Sequence, residues 1–227
     1  MERLSFDYYE TNDKYKNALV VMLHGYGGCG QNFNYIAKYW CEHLFRNTIV
    51  ICPNAPYEFE GNCGEKKSLA RQWFSLMDRS IPALLCAVKD IAPTVSHFIH
   101  TKREEYGIPM GNVVLCGFSQ GCMLSLELGL YNSDLRLAGI VGYSGMLLYR
   151  GDAVINRDNT KNIMLAHGAR DDVIPLSAHY ASVDWLKNNQ IVVQSHVDEL
   201  LDHSINDSLM RVGGKFIAQV TADFARA

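Results

Sequence analysis

The stretch VVLCGFSQGC, Val113 to Cys122, runs an apolar segment straight into Gly117-Phe118-Ser119-Gln120-Gly121. It is either an ordinary turn after a strand or a nucleophile elbow, in which a serine is held on a strained strand-to-helix turn. In a chain with 18 Gly, a G-x-S-x-G can arise by chance, so the motif alone decides little. Its context decides more. Val113–Cys116 reads as a strand and Ser119–Leu130 as a helix, which is the setting an elbow requires. Gly117 and Gly121 let such a turn close. The Gln120 N–H, at the helix N-terminus, would then point toward a carbonyl oxygen under attack.

Working outward, short apolar runs recur along the chain. Strands are expected at Ala18–Leu23, Thr48–Cys52, Asn112–Cys116, Leu137–Tyr143, Ile163–Ala166 and Ile191–Val197. Several are continuous rather than alternating, as in strands covered on both faces. Helical patterns fall between them, at Gln31–Phe45, Pro82–Tyr106, Ser119–Leu130, Ala178–Asn188 and Asn206–Phe224. In the second of these, Leu84, Val88, Ile91, Val95 and Phe98 recur at three- and four-residue steps and mark one apolar face. Pro82 suits a first helical turn, and Pro93 is expected to kink the interior. Alternating strand and helix gives the α/β class with a largely parallel sheet. No repeat or linker divides the chain, so one domain over residues 1–227 is expected. Tyr57–Ile81 lacks periodicity and reads as a long, packed loop or lid-like insertion.

The composition excludes several functions. A net charge of -3 and scattered Lys and Arg leave no electrostatic footprint for nucleic acid. The N-terminus has no apolar signal core, and no run approaches membrane-spanning length. Seven Cys, an odd number with no C-x-x-C pair, suggest neither a disulfide framework nor a zinc site. A cytoplasmic protein is the expectation.

A serine hydroxyl is a weak nucleophile unless a base removes its proton. The base should lie on a loop after a late strand, and His203 in DELLDHSIND is there. His196 falls inside a strand, His167 follows one directly, and the remaining histidines belong to earlier loops or helices. The imidazole needs an acid to hold its tautomer. AHGARDDVIP offers two, Asp171 and Asp172, between Ser119 and His203 in the order Ser, Asp, His of α/β-hydrolases. A second oxyanion donor belongs in an early strand-helix loop. The Gly-rich LHGYGGCG, residues 23–30, supplies it, with Tyr26 N–H as the choice. That loop has neither G-x-G-x-x-G nor a P-loop Lys, so a nucleotide role is weak.

Together the blocks LHGYGG (23–28), CPNAP (52–56), QWF (72–74), GIPMGNVVLCGFSQG (107–121), SGML (144–147), HGARDDVIP (167–175) and HS (203–204) carry a resemblance. The chain resembles the phospholipase/carboxylesterase family of α/β-hydrolases, which includes the acyl-protein thioesterases. The resemblance implies an α/β-hydrolase fold, a mostly parallel central sheet flanked by helices on both faces. The family pattern His-Gly-x-x-Asp-x-x-Val-Pro starts at His167 and selects Asp171 over Asp172, with Ile174 where Val is usual. It also implies Ser119 as nucleophile, His203 as base, Tyr26 and Gln120 N–H as oxyanion donors, and Trp73 as a wall of the acyl pocket.

The expectation is a serine hydrolase of carboxylic esters or thioesters that needs no metal or organic cofactor. The alternative within enzymes is a lysophospholipase or acyl-protein thioesterase acting on long acyl chains. A non-catalytic hydrolase-fold binding protein is the rival of another class, but such proteins usually lose a triad residue and all three positions are filled here. The expected partner is a small ester or acylated substrate, with a homodimer left open.

Overall fold

The computed structural model describes residues 4–61, 69–149, 151, 155 and 162–222. Among these, seven strands form the main sheet: β1 (Phe6–Glu10), β2 (Ala18–Leu23), β3 (Thr48–Pro53), β6 (Val113–Phe118), β7 (Gly139–Tyr143), β8 (Ile163–Gly168) and β9 (Val193–Asp198). Two short strands, β4 (Tyr57–Glu58) and β5 (Arg71–Gln72), pair separately. The helices are α1 (Asn34–His43), α2 (Ile81–Glu105), α3 (Gln120–Tyr131), α4 (Leu176–Asn188) and α5 (Asp207–Ala222). Sheet order is β1-β3-β2-β6-β7-β8-β9, with only the β1–β3 pairing antiparallel.

The continuous apolar runs are buried on both sides, as read from sequence. Side chains alternate across a strand, so β2 divides its residues between two cores. Leu19, Val21 and Leu23 pack with Val88 of α2, Leu124 of α3 and Val183 of α4. Val20 and Met22 face the other way, into a cluster with Ile36 and Trp40 of α1 and Met210 and Ile217 of α5. On α2 the expected stripe, Leu84, Val88, Ile91, Val95 and Phe98, is buried throughout. That helix continues unbroken past Pro93.

Several expectations shift. A 3-10 turn, Gly30–Phe33, precedes α1, which therefore starts later than expected. Helix α4 starts at Leu176, and α3 begins one residue after Ser119. The last helix was expected to reach Phe224, which lies outside the described residues. β1 escaped the sequence reading because its five residues, FDYYE, form no continuous apolar run and are only partly covered at the sheet edge. The described residues of 57–81 are not structureless. The β4–β5 ladder pairs Tyr57 with Gln72 and Glu58 with Arg71.

Parallel strands place their carboxyl ends on one edge, where α/β sheets form their sites. The loops after Leu23, Phe118, Gly168 and Asp198 all open there.

Candidate active site

Ser119 joins β6 to α3 with φ 53° and ψ −115°, a conformation that costs a non-Gly residue about 1–3 kcal/mol. The surroundings impose it. Ser119 N–H donates to Tyr143 O at 2.9 Å, while its carbonyl accepts from Cys122 N at 2.9 Å and Met123 N at 3.1 Å. A Cβ on Gly117 would overlap the Gly121 carbonyl, and one on Gly121 would overlap the Leu23 carbonyl. Only glycine lets the elbow lie against the end of β2.

From this elbow a chain of hydrogen bonds leads inward. Ser119 Oγ lies 3.0 Å from His203 Nε2, and His203 Nδ1 lies 2.7 Å from Asp171 Oδ2. The other carboxylate oxygen, Oδ1, accepts from Val173 N at 2.9 Å and Ile174 N at 2.8 Å. The Asp171 side chain is wholly buried, whereas Asp172 is exposed. The backbone of the 171–174 turn thus orients one acid and turns the other outward. Phe118 packs against the His203 ring with centroids 4.9 Å apart.

The Tyr26 and Gln120 N–H groups make no backbone hydrogen bond among the described residues. For Gln120 the reason is its place at the start of α3, where first-turn N–H groups have no intrahelical acceptor. Gly25 packs tightly behind them. A Cβ there would come within 2.9 Å of the Phe118 ring and 3.3 Å of Ser119 Cβ.

Side-chain contacts that the sequence did not signal hold this arrangement. Glu60 accepts from the Tyr26 hydroxyl at 2.7 Å, from Leu76 N at 2.8 Å and from Gln72 Nε2 at 3.0 Å. Partial burial opposes its ionisation, but hydrogen bonds from Gln72, Ser75, Tyr26 and Leu76 outweigh that and hold the carboxyl down to about 2. The Gln120 side chain accepts from Trp73 N at 2.8 Å and donates to Phe74 O at 2.8 Å, tying the elbow to the segment after β5. His24 bonds Gly25 O through Nδ1 at 2.7 Å and accepts from Ala55 N through Nε2 at 3.0 Å. It is a buried neutral imidazole, with burial pushing its pKa down to about 4. His167, at the head of HGARDDVIP, places Nε2 2.9 Å from Ile174 O and 3.2 Å from Asp171 Oδ2.

One candidate is placed differently. Trp73 is completely buried, donates Nε1–H to His24 O at 2.9 Å, and does not line the cavity beside Ser119. The family motif located the segment, but it could not say on which side the indole lies. That cavity, about 420 Å³, is walled instead by Leu76, Arg79, Leu84, Met123, Met146, Val173 and Ile174. Ser144, in the stretch Gly142-Tyr143-Ser144-Gly145, is buried with Oγ 3.5 Å from Ser204 O.

Comparison with known proteins bears on the fold and the family. The structure of esterase PE8 superposes with a TM-score of 0.85 at 25% identity, covering 96% of this chain and 100% of that one. Acyl-protein thioesterase 1 of Schizosaccharomyces pombe is 31% identical over 76% of each chain. The enzyme of the same name from Yarrowia lipolytica is 30% identical over 82% of this chain and 85% of its own. The sequence profile headed Phospholipase/Carboxylesterase matches residues 9–221, nearly the whole length. The chain has the α/β-hydrolase fold and belongs to the phospholipase/carboxylesterase family.

Proposed function

We propose that this protein hydrolyses carboxylic esters or thioesters through an acyl-enzyme on Ser119. The observation that carries the reading is the unbroken hydrogen-bonded chain Ser119–His203–Asp171, set at a strained elbow beside a mostly apolar cleft. His203 Nε2 takes the Ser119 proton as Oγ bonds to the acyl carbon. The carbonyl oxygen, now an oxyanion, accepts from Tyr26 and Gln120 N–H. Collapse of the tetrahedral species breaks the bond to the alcohol or thiol, which leaves with the proton from His203. Water then repeats the sequence on the acyl-enzyme and releases the acid. Asp171 holds the His203 tautomer and stabilises the imidazolium.

Apart from Arg79, the wall beyond the triad is apolar and suits an alkyl acyl chain, and the family relatives named thioesterases make a thioester a reasonable competitor to the oxygen ester. Free thiols at Cys29, Cys41, Cys52, Cys86, Cys116 and Cys122 suit a reducing, cytoplasmic setting. No helix among the described residues is long and apolar enough to cross a membrane. The test is kcat/KM across p-nitrophenyl esters and acyl thioesters of increasing chain length. Turnover that rises with chain length to an optimum supports the reading. No turnover of any member would overturn it.

A further inference from the structure

The cleft beside Ser119 is not the only cavity at this sheet edge. A second groove, about 260 Å³, lies beyond the oxyanion loop and is lined by Tyr26, Asn32, Phe33, Ile36, Phe118 and Ile205, with His24 and two glycines beneath. Neither the triad nor the oxyanion donors' chemistry requires it.

Its position relates it to the reacting centre. The first cavity draws Leu84 from α2, Met123 from α3 and Ile174 from the turn before α4, so it opens on the sheet face that those helices cover. The second draws Phe33 and Ile36 from the α1 side and Ile205 from the approach to α5, so it opens on the opposite face. Tyr26 walls both. A substrate carbonyl seated on the Tyr26 and Gln120 amides therefore has one cavity on each side. At a tetrahedral centre bonded to Ser119, the acyl chain and the departing group must diverge.

The proton decides which goes where. The departing oxygen or sulfur takes it from His203, so that group must leave along the flank of the imidazole. Phe118 packs on that ring, Ile205 follows it by two residues, and both line the second groove. The larger cavity, mostly apolar with Arg79 in its wall, continues past Ser119 to Met123 on α3 and suits the acyl chain.

We infer that the second groove binds the leaving group, and that it selects uncharged alcohols or thiols with an alkyl or aryl body. Its lining contains no Lys, Arg, Asp or Glu. His24 at its base is held neutral by burial. A phosphate or carboxylate on the leaving group would be desolvated there without a counter-charge. The inference rests on the hydrolase reading and gives that site a second half.

The test uses butyrate esters of one acyl chain and three alcohols: methyl, benzyl and 4-carboxybenzyl. Wild type should favour benzyl over methyl in kcat/KM by about tenfold or more, the scale for filling an apolar pocket, and should disfavour 4-carboxybenzyl. Ile36→Trp, which fills the groove, should remove most of the benzyl preference. Ile36→Ala, which enlarges it, should keep or extend that preference toward bulkier alcohols. Hydrolysis of the butyryl-enzyme, which has already lost the alcohol, should proceed at one rate in all three proteins. A benzyl-to-methyl ratio that neither substitution changes would overturn the assignment. So would Ile36 variants that alter acyl-length preference instead. If no ester were hydrolysed by wild type, the hydrolase reading itself would fall, which is a distinguishable result.

Discussion

Asp171 and Asp172 are adjacent, yet one side chain is sealed against His203 and the other is exposed. Removing the orienting acid from a Ser-His-Asp triad costs about 10⁴ in kcat. Asp171→Asn should therefore lose orders of magnitude in kcat, measured on any ester that wild type turns over. Asp172→Asn should stay within about tenfold, as a surface change does. The reverse result would mean that the bond between Asp171 and His203 is not used. At this scale the sequence was informative. The residues alone left Asp171 and Asp172 open and the family pattern starting at His167 selected Asp171, while the strand-turn-helix context pointed to Ser119. It was silent on Glu60 and on the Gln120 side chain, because their partners lie at positions distant in the chain and no local pattern records such contacts. His24 and His167 stood inside recognised motifs, but nothing in the motifs says that these imidazoles brace the oxyanion loop and the triad acid.

At the scale of elements, the loop after β2 is held to β5 by backbone bonds from Gly27 N–H to Arg71 O and from Arg71 N–H to Gly28 O, and Glu60 adds a side-chain tie. Losing an oxyanion donor outright costs about 10²–10³ in kcat, so slackening its support should cost less, about tenfold. Glu60→Ala should lower kcat with KM little changed, and Glu60→Gln, which keeps a carbonyl acceptor for the Tyr26 hydroxyl, should restore part of it. A change confined to KM would point to substrate contact instead. Trp73 belongs to the same segment. Its burial makes it a core residue, so Trp73→Ala should destabilise the fold by about 3–5 kcal/mol, measured by urea denaturation. An altered acyl-length optimum with unchanged stability would return it to the pocket wall. Element types were legible wherever apolar runs were continuous or stepped at helical spacing. The β4–β5 ladder was not, since two-residue strands carry no period, and β1 was not, since an edge strand buries only part of each side chain.

For the molecule as a whole, buried histidines tie stability to pH. Burial lowers His24 and His179 to about 4, the latter with help from His167 and His196. A group whose folded pKa is depressed takes up protons more readily when unfolded. Acidification from about 6.5 toward 4 therefore favours unfolding, by on the order of 2 kcal/mol per histidine at pH 5. Urea midpoints should fall between pH 7 and pH 5, and His179→Gln should flatten that fall. A midpoint independent of pH over this interval would contradict neutral burial of these rings.

All of this turns on Ser119 as the nucleophile, and active-site labelling tests that most directly. A fluorophosphonate should label the wild-type chain, with the modified peptide mapping to Ser119. Ser119→Ala should take up no label while keeping its fold. Label found on Ser144, the buried serine of the neighbouring Gly-Tyr-Ser-Gly stretch, or undiminished in the Ser119→Ala protein, would contradict the account.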